Sequence, residues 1–248
     1  MSLITTDGLI IKEQKVGESD RLVTILTRDK GIVRAFAPHA LKFKSKNLTA
    51  TQLLCYSRLT LYKSRDTYKV NDASSIQVFF KLRNDISALS LAGYFCELLM
   101  QLAPEEDNAD DFLRLMLNCL HLLCEDKRPK ELIKAIAELK FCQLAGYMPD
   151  VINCAKCQCP EPQSPLFDVK GGNIYCSECG TVSPTTIPIP NSVLAAMRHI
   201  LYAESSKLFA FNINEQSQQI LSLITERFVE TQTERNYNTL DFYKSVRE

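Results

Sequence analysis

Apolar and polar positions alternate through the first 80 residues. GLIIKEQ, RLVTILT, GIVRAFA, QLLCYSRLTLYK and TYKV are short runs rich in β-branched residues. Gly17, the turn Asp29-Lys30-Gly31 and Ser64-Arg65-Asp66 separate them. Runs of that length, bounded by turn residues, predict strands. The clearest spans 53–63: Leu53, Cys55, Leu59 and Leu61 fall on one face, Tyr56, Arg58, Thr60 and Tyr62 on the other. That is the period of two of a half-buried strand. Five short strands in one such segment fit a small closed barrel. Aromatic and basic residues pointing outward favour an oligonucleotide-binding (OB) barrel, with an SH3-like barrel as the other candidate.

Past residue 80 the period becomes helical. Asn84 and Asp85 can cap a helix running to about 102, where Pro104 stops it. Asn108 precedes a second, with Asp110 and Asp111 in its first turn, where they complement the helix dipole. Pro129 opens a third, and Gly146 is placed to end it. Further helices are predicted at about 191–204, 214–231 and 239–246. The predicted class is therefore α+β: a five-stranded OB barrel over 1–80, then an all-helical domain over 81–248. A zinc-ribbon-like insert with four cysteines, at about 150–185, projects from the helical domain.

Composition changes this picture in two places. The chain carries 29 basic and 29 acidic residues, yet residues 1–80 hold thirteen Lys/Arg against seven Asp/Glu, while residues 81–150 hold eight against twelve. A front segment with a net charge of +6 beside one of −4 points the first at an anionic partner. The N-terminus lacks the pattern of a secretory signal, and no apolar run reaches the ~20 residues of a membrane span. A cytoplasmic, reducing location is expected, where paired cysteines bind metal or react more often than they form disulfides.

Of ten cysteines, Cys154, Cys157, Cys176 and Cys179 form two C-x-x-C pairs eighteen residues apart. Two such knuckles present four sulfurs to one tetrahedral Zn²⁺, and the spacing suits a structural zinc site. Neither pair opens a helix after a strand, as a redox pair would. Cys159 is a candidate to replace Cys157. Four sulfurs leave no open position on a metal, so the expected role is to hold the fold. Cys96, Cys119, Cys124 and Cys142 lie in apolar helical patterns and read as buried small hydrophobes. Motifs for nucleotide binding or metalloprotease chemistry are absent and His39, His121 and His199 are scattered, so an enzyme is not expected. Carboxylates such as Asp107, Asp110 and Asp111 holding magnesium would be the route to one.

The strongest binding signal is RAFAPHALKFKSKN, residues 34–47. Arg34, Lys42, Lys44 and Lys46 surround Phe36 and Phe43, with Lys63, Arg65 and Lys69 further along the barrel segment. Cations neutralise phosphates, and aromatic faces stack bases of any sequence. The competing reading is a solvated lysine loop with Phe36 in the core. In that case the protein is a zinc-stabilised adaptor for other proteins.

GLIIKEQKVGESDRLVTILTRDKGIVRAFAPHALK, LRNDISALSLAGYFCELL, LKFCQLAGYMPDVINCAKC and GGNIYCSECG occur in that order. Together they resemble the bacterial RecO recombination mediators, up to about residue 190. The most specific stretches are Gly17–Thr27 and the junction from Leu144 through Cys157. The resemblance implies an OB domain and a helical domain with a zinc module. It also implies binding of single- and double-stranded DNA, annealing of complementary strands, and action with RecR in loading RecA onto DNA coated by single-stranded-DNA-binding protein (SSB). Nucleoid association would follow. Arg34, Lys42, Lys44 and Lys46 would line the DNA face. The acidic, apolar C-terminal tail of SSB would meet the helical domain, with Lys130 and Lys134 as flanking candidates. HALKFKSKN is poorer in Arg and Gly than the family's usual loop.

Overall fold

In the barrel segment, burying every second side chain gives five strands. They are β1 (Leu3–Val16), β2 (Asp20–Thr27), β3 (Gly31–Ala37), β4 (Cys55–Lys63) and β5 (Tyr68–Val78), and they close in the order β1-β2-β3-β5-β4. β4 returns to β1 antiparallel, from Leu3↔Tyr62 to Leu9↔Tyr56, and β5 joins β3 in parallel. The interior is filled by Ile10, Val23, Ile25, Val33, Leu59 and Val70 among others. This computed structural model describes residues 3–63 and 67–247. β4 starts at Cys55 rather than at residue 53. Leu54 sits in the left-handed region at φ +59° and donates its N–H to the Ile10 carbonyl at 2.8 Å, so Leu53 lies in a turn and its side chain is exposed.

The helices have local causes. α1 (Asn47–Ala50) is one turn beneath the loop after β3, held by the Asn47 side-chain oxygen, which accepts from Ala73 N–H at 3.1 Å. α2 (Ile86–Leu102) begins where the Asp85 carboxylate accepts from Ala88 N–H at 3.0 Å, a cap worth about 1 kcal/mol. α3 (Asp110–Glu125) has both predicted aspartates in its first turn. By packing, one compact unit comprises Met1–Glu125 with Thr239–Glu248, and the other Asp126–Asn238. The period therefore changes near residue 80, whereas the packing boundary lies after α3. Gly31 opens β3 at φ +58°, and a Cβ there would stand 1.9 Å from the Pro104 carbonyl oxygen. Only a glycine lets segment 104–106 lie against β3, where Ile32 N–H reaches Pro104 O at 2.8 Å and Glu106 N–H reaches Lys30 O at 3.0 Å.

In the second unit α4 (Lys130–Leu144) packs on α5 (Asn191–Tyr202) and α6 (Glu215–Thr233). Between α4 and α5 the chain forms β6 (Asp150–Cys154), β7 (Leu166–Asp168), β8 (Asn173–Tyr175) and β9 (Thr186–Pro188), a small sheet of order β6-β8-β7-β9. Phe167 of β7 meets Phe228 of α6, ring centroids 5.8 Å apart. The last helix, α7 (Asn238–Val246), belongs mostly to the first unit, where Thr239 donates its hydroxyl to Glu97 of α2.

Lys134 corrects an expectation. It does not flank a surface open to an acidic tail but is fully buried between α4 and α6. Its Nζ is 2.9 Å from Glu138 Oε1 and 3.1 Å from Glu226 Oε2. It also donates to the carbonyl and the hydroxyl of Ser222, each at 3.2 Å. Burial pulls the ammonium down, but the two carboxylates overcome it and hold its pKa above the usual lysine value. A buried charge persists only when paired in this manner.

Candidate metal centre and nucleic-acid interface

β6 and β8 are parallel neighbours, with Cys154 beside Ile174. The chain turns off both strands at the same end, so the 154–157 and 176–179 turns face each other. Each turn is closed by its backbone. Gln158 N–H reaches Cys154 O at 2.9 Å, Cys154 N–H reaches Cys159 O at 2.9 Å, and Cys179 and Gly180 N–H both reach Cys176 O at 3.0 Å. Gly180 is required for space, since a Cβ there would stand 2.8 Å from that of Tyr175.

All four sulfurs lie within 4.8 Å of one another; Cys154 to Cys176 is 3.9 Å and Cys157 to Cys176 is 3.8 Å. A tetrahedral ion with ~2.3 Å metal–sulfur bonds has sulfur–sulfur edges of about 3.8 Å, so the residues fit a metal ion. Among the described residues this is the one grouping of three or more potential ligands. Cys159 is outside it, contributing its carbonyl rather than its thiol, so Cys157 is the fourth member.

Electrostatics agree with the donor set. Burial raises the Cys154 thiol, but backbone N–H groups of Cys157, Cys176 and Lys156 converge on its sulfur and bring it down to about 6. The hydrogen bond with Cys176 pushes Cys179 up to about 12. One thiolate thus forms readily while a neighbour keeps its proton, the conflict a bound cation relieves. By contrast, burial pushes Cys96 up to about 12, and burial together with the nearby Glu138 charge does the same for Cys142, as inert packing thiols require.

Sequence reasoning passed over Arg198 of α5. Its guanidinium donates to the carbonyls of Val151 and Ile152 at 2.8 Å and of Pro160 at 2.6 Å, and to Glu161 at 3.1 Å. It ties both ends of the first knuckle to the helix. A lone arginine in an amphipathic pattern gives no hint of such a role.

On the barrel, Arg34 and Phe36 alternate with buried Val33, Ala35 and Ala37, and therefore point outward. Register builds two rows across the outer face, Lys12–Thr24–Arg34 and Gln14–Leu22–Phe36–Lys69. Phe36 is half-buried on this face, not in the core, and Lys12 joins the cations there. The 38–46 loop is fastened at its base: Asp20 accepts His39 N–H at 2.7 Å and Ser19 O accepts Leu41 N–H at 2.9 Å. That His39 bond holds the Asp20 carboxyl below the usual range. The fastened loop presents Lys42, Lys44 and Lys46 to solvent, with Phe43 93% exposed.

Several charges of the front segment are already matched. Arg21 is buried, donating to Leu48 O and Thr51 Oγ1; Arg28 pairs with Asp110, Arg58 with Asp7, and Lys63 with Glu106 at 3.0 Å. Lys63 is thus an exposed cation with a carboxylate on it. Among the described residues none of Arg34, Lys42, Lys44, Lys46 and Lys69 has an ion-pair partner. Arg65 lies outside the described residues. Lys130 is half-buried at the start of α4. Asp110 bridges Arg28 and Arg114, at 3.1 and 2.6 Å. No described helix is long and apolar enough to cross a membrane.

Comparison with known proteins places this geometry. Residues 1–79 match the family model for the N terminus of recombination protein O, and residues 83–241 match that for its C terminus. The DNA repair protein RecO of Acetivibrio thermocellus is 32% identical over 99% of this chain and 98% of its own. The proteins of the same name from Caldicellulosiruptor bescii and Alkaliphilus metalliredigens are 28% and 27% identical, over 99% and 98% of this chain and all of theirs.

Proposed function

Since the chain belongs to the RecO family of DNA repair and recombination proteins, we propose that it is a recombination mediator that binds single- and double-stranded DNA. In this reading it anneals complementary strands and, with RecR, helps to load RecA onto DNA coated by SSB. Its place is then the nucleoid. The carrying observation is the outer barrel face with its fastened loop: Arg34, Lys42, Lys44, Lys46 and Lys69 without carboxylate partners around exposed Phe43 and half-buried Phe36.

The chemistry is electrostatic rather than covalent. Bringing two strands together opposes two polyanions, and cations that neutralise phosphates on both lower that repulsion. With ~5 phosphates contacted, log K on single strands falls with log salt at a slope of roughly −4. Phe43 and Phe36 add stacking worth ~1–3 kcal/mol per base whatever its identity. The metal in this reading is Zn²⁺, held by Cys154, Cys157, Cys176 and Cys179. It supplies no chemistry, because four thiolates fill its coordination; it fixes the two knuckles.

Buried Lys134 is unavailable to an acidic tail, so the contact proposed for the SSB C-terminus rests on Lys130 alone. The deciding experiment anneals complementary oligonucleotides coated with SSB, with and without the protein. Faster annealing is expected. No acceleration, together with a salt-independent signal for naked strands, would overturn the reading.

A further inference from the structure

A cavity of about 200 Å³ opens on the outer barrel face, walled by Leu22, Ile32 and Met100, with Lys12, Gln14, Thr24, Arg34 and Glu105 around it. It is below the ~300–1,000 Å³ of pockets for drug-sized ligands, and suits one flat heterocycle. Arg34 and Glu105 face the same space with opposite charge, yet neither has an ion-pair partner among the described residues. Both stand on fixed backbone. Arg34 is in the centre of β3, and Glu105 is bridged to Gly31 and Ile32 by the close approach that Gly31 permits.

A ligand that satisfies both groups must offer paired acceptors to a guanidinium and paired donors to a carboxylate. Among the four DNA bases guanine does so on adjacent edges: O6 and N7 accept, while N1–H and N2–H₂ donate. Arginine to O6 and N7 is the commonest specific contact to a base. Adenine offers its N6–H₂ donor and N7 acceptor side by side, which matches neither group fully. We propose that this cavity seats one unstacked guanine of a bound single strand, with Arg34 on O6/N7 and Glu105 on N1–H/N2–H₂. This inference rests on the DNA-binding reading of the same face and adds a base preference to it.

The test uses the full-length protein and fluorescence anisotropy at one fixed salt concentration. The probes are oligo-dT and the same oligomer with a single central guanine, hypoxanthine (no N2 amino group), 7-deazaguanine (no N7) or adenine. Guanine is expected to tighten binding roughly tenfold over oligo-dT, and each guanine analogue to lose most of that gain. Glu105→Gln should lose the advantage of guanine over hypoxanthine while keeping oligo-dT affinity within about twofold. Arg34→Ala should weaken every probe. Equal affinity for all probes, or a guanine gain untouched by Glu105→Gln, would overturn the guanine site and leave phosphate binding standing. Failure to bind oligo-dT at all would remove both.

Discussion

Lys134→Met probes how the second unit is held together. Methionine replaces the aliphatic stem of the lysine but removes the positive charge that pairs with two buried carboxylates, which stand 2.9 and 3.1 Å from Nζ. It also strips a donor from the Ser222 carbonyl and hydroxyl. Thr225 still donates to Glu138 at 2.7 Å, which softens the loss without cancelling the charge. Deleting one partner of a buried ion pair costs about 3–5 kcal/mol, because the remaining charge is left uncompensated. At ~2–4 °C per kcal/mol for a chain of this size, the melting temperature should fall by roughly 6–20 °C.

Calorimetry across pH supplies the sign. In the unaltered protein the folded-state pKa of Lys134 lies above its usual value. Its stabilisation is therefore complete below the unfolded pKa of ~10.4 and is lost as pH rises through the folded value. That alkaline loss should be missing from the methionine variant. Taking the ammonium from between two neighbouring carboxylates favours proton uptake in the variant, so its deficit should shrink between pH 8 and pH 5. Replacing the triad together, Lys134→Met with Glu138→Leu and Glu226→Met, should recover most of the stability, since no charge is then stranded. A single-variant cost below about 1 kcal/mol, or a deficit unchanged from pH 8 to pH 5, would refute the argument.

Elemental analysis should find one zinc per chain; Cys157→Ser should lower it and Cys159→Ser should not, because only the Cys157 thiol is in the four-sulfur group. Removing the metal with a chelator should lower the melting temperature. Changing Lys42, Lys44 and Lys46 to Ala together should make the salt slope on single strands shallower by about 2, at ~0.7 per phosphate contact, and weaken all sequences alike in a salt titration. Phe43→Ala, at a side chain 93% exposed, should leave melting unchanged but weaken single-strand binding by ~1–3 kcal/mol, read by anisotropy. Gly31→Ala should destabilise the first unit by more than about 1 kcal/mol in urea, from the 1.9 Å approach to Pro104 O and the positive φ together.

What the chain discloses in advance depends on how far apart the cooperating residues stand. Strands β1 to β5, the Asp85 cap and the two cysteine knuckles are each specified within a few residues, by a period of two, a carboxylate three positions before an N–H, or a C-x-x-C turn. All of these are readable. Lys134 is not: KELIKAIAELKF reads as an ordinary amphipathic helix, and its burial depends on Glu226, ninety-two positions later on α6. The charge of the front segment has the same limitation. Arg28, Arg58 and Lys63 count as cations in the sequence, while their neutralising partners Asp110, Asp7 and Glu106 are brought up by the fold from 43 to 82 residues away. Segment charge therefore overstates what an anionic partner could use. The candidates left without carboxylates lie on rigid supports: Arg34 at the centre of β3, Lys69 beside it on β5, and the three lysines on a loop fastened through Asp20. Cations held in place by backbone lose little freedom on meeting a phosphate, which makes position rather than net charge the better guide to where a strand would lie.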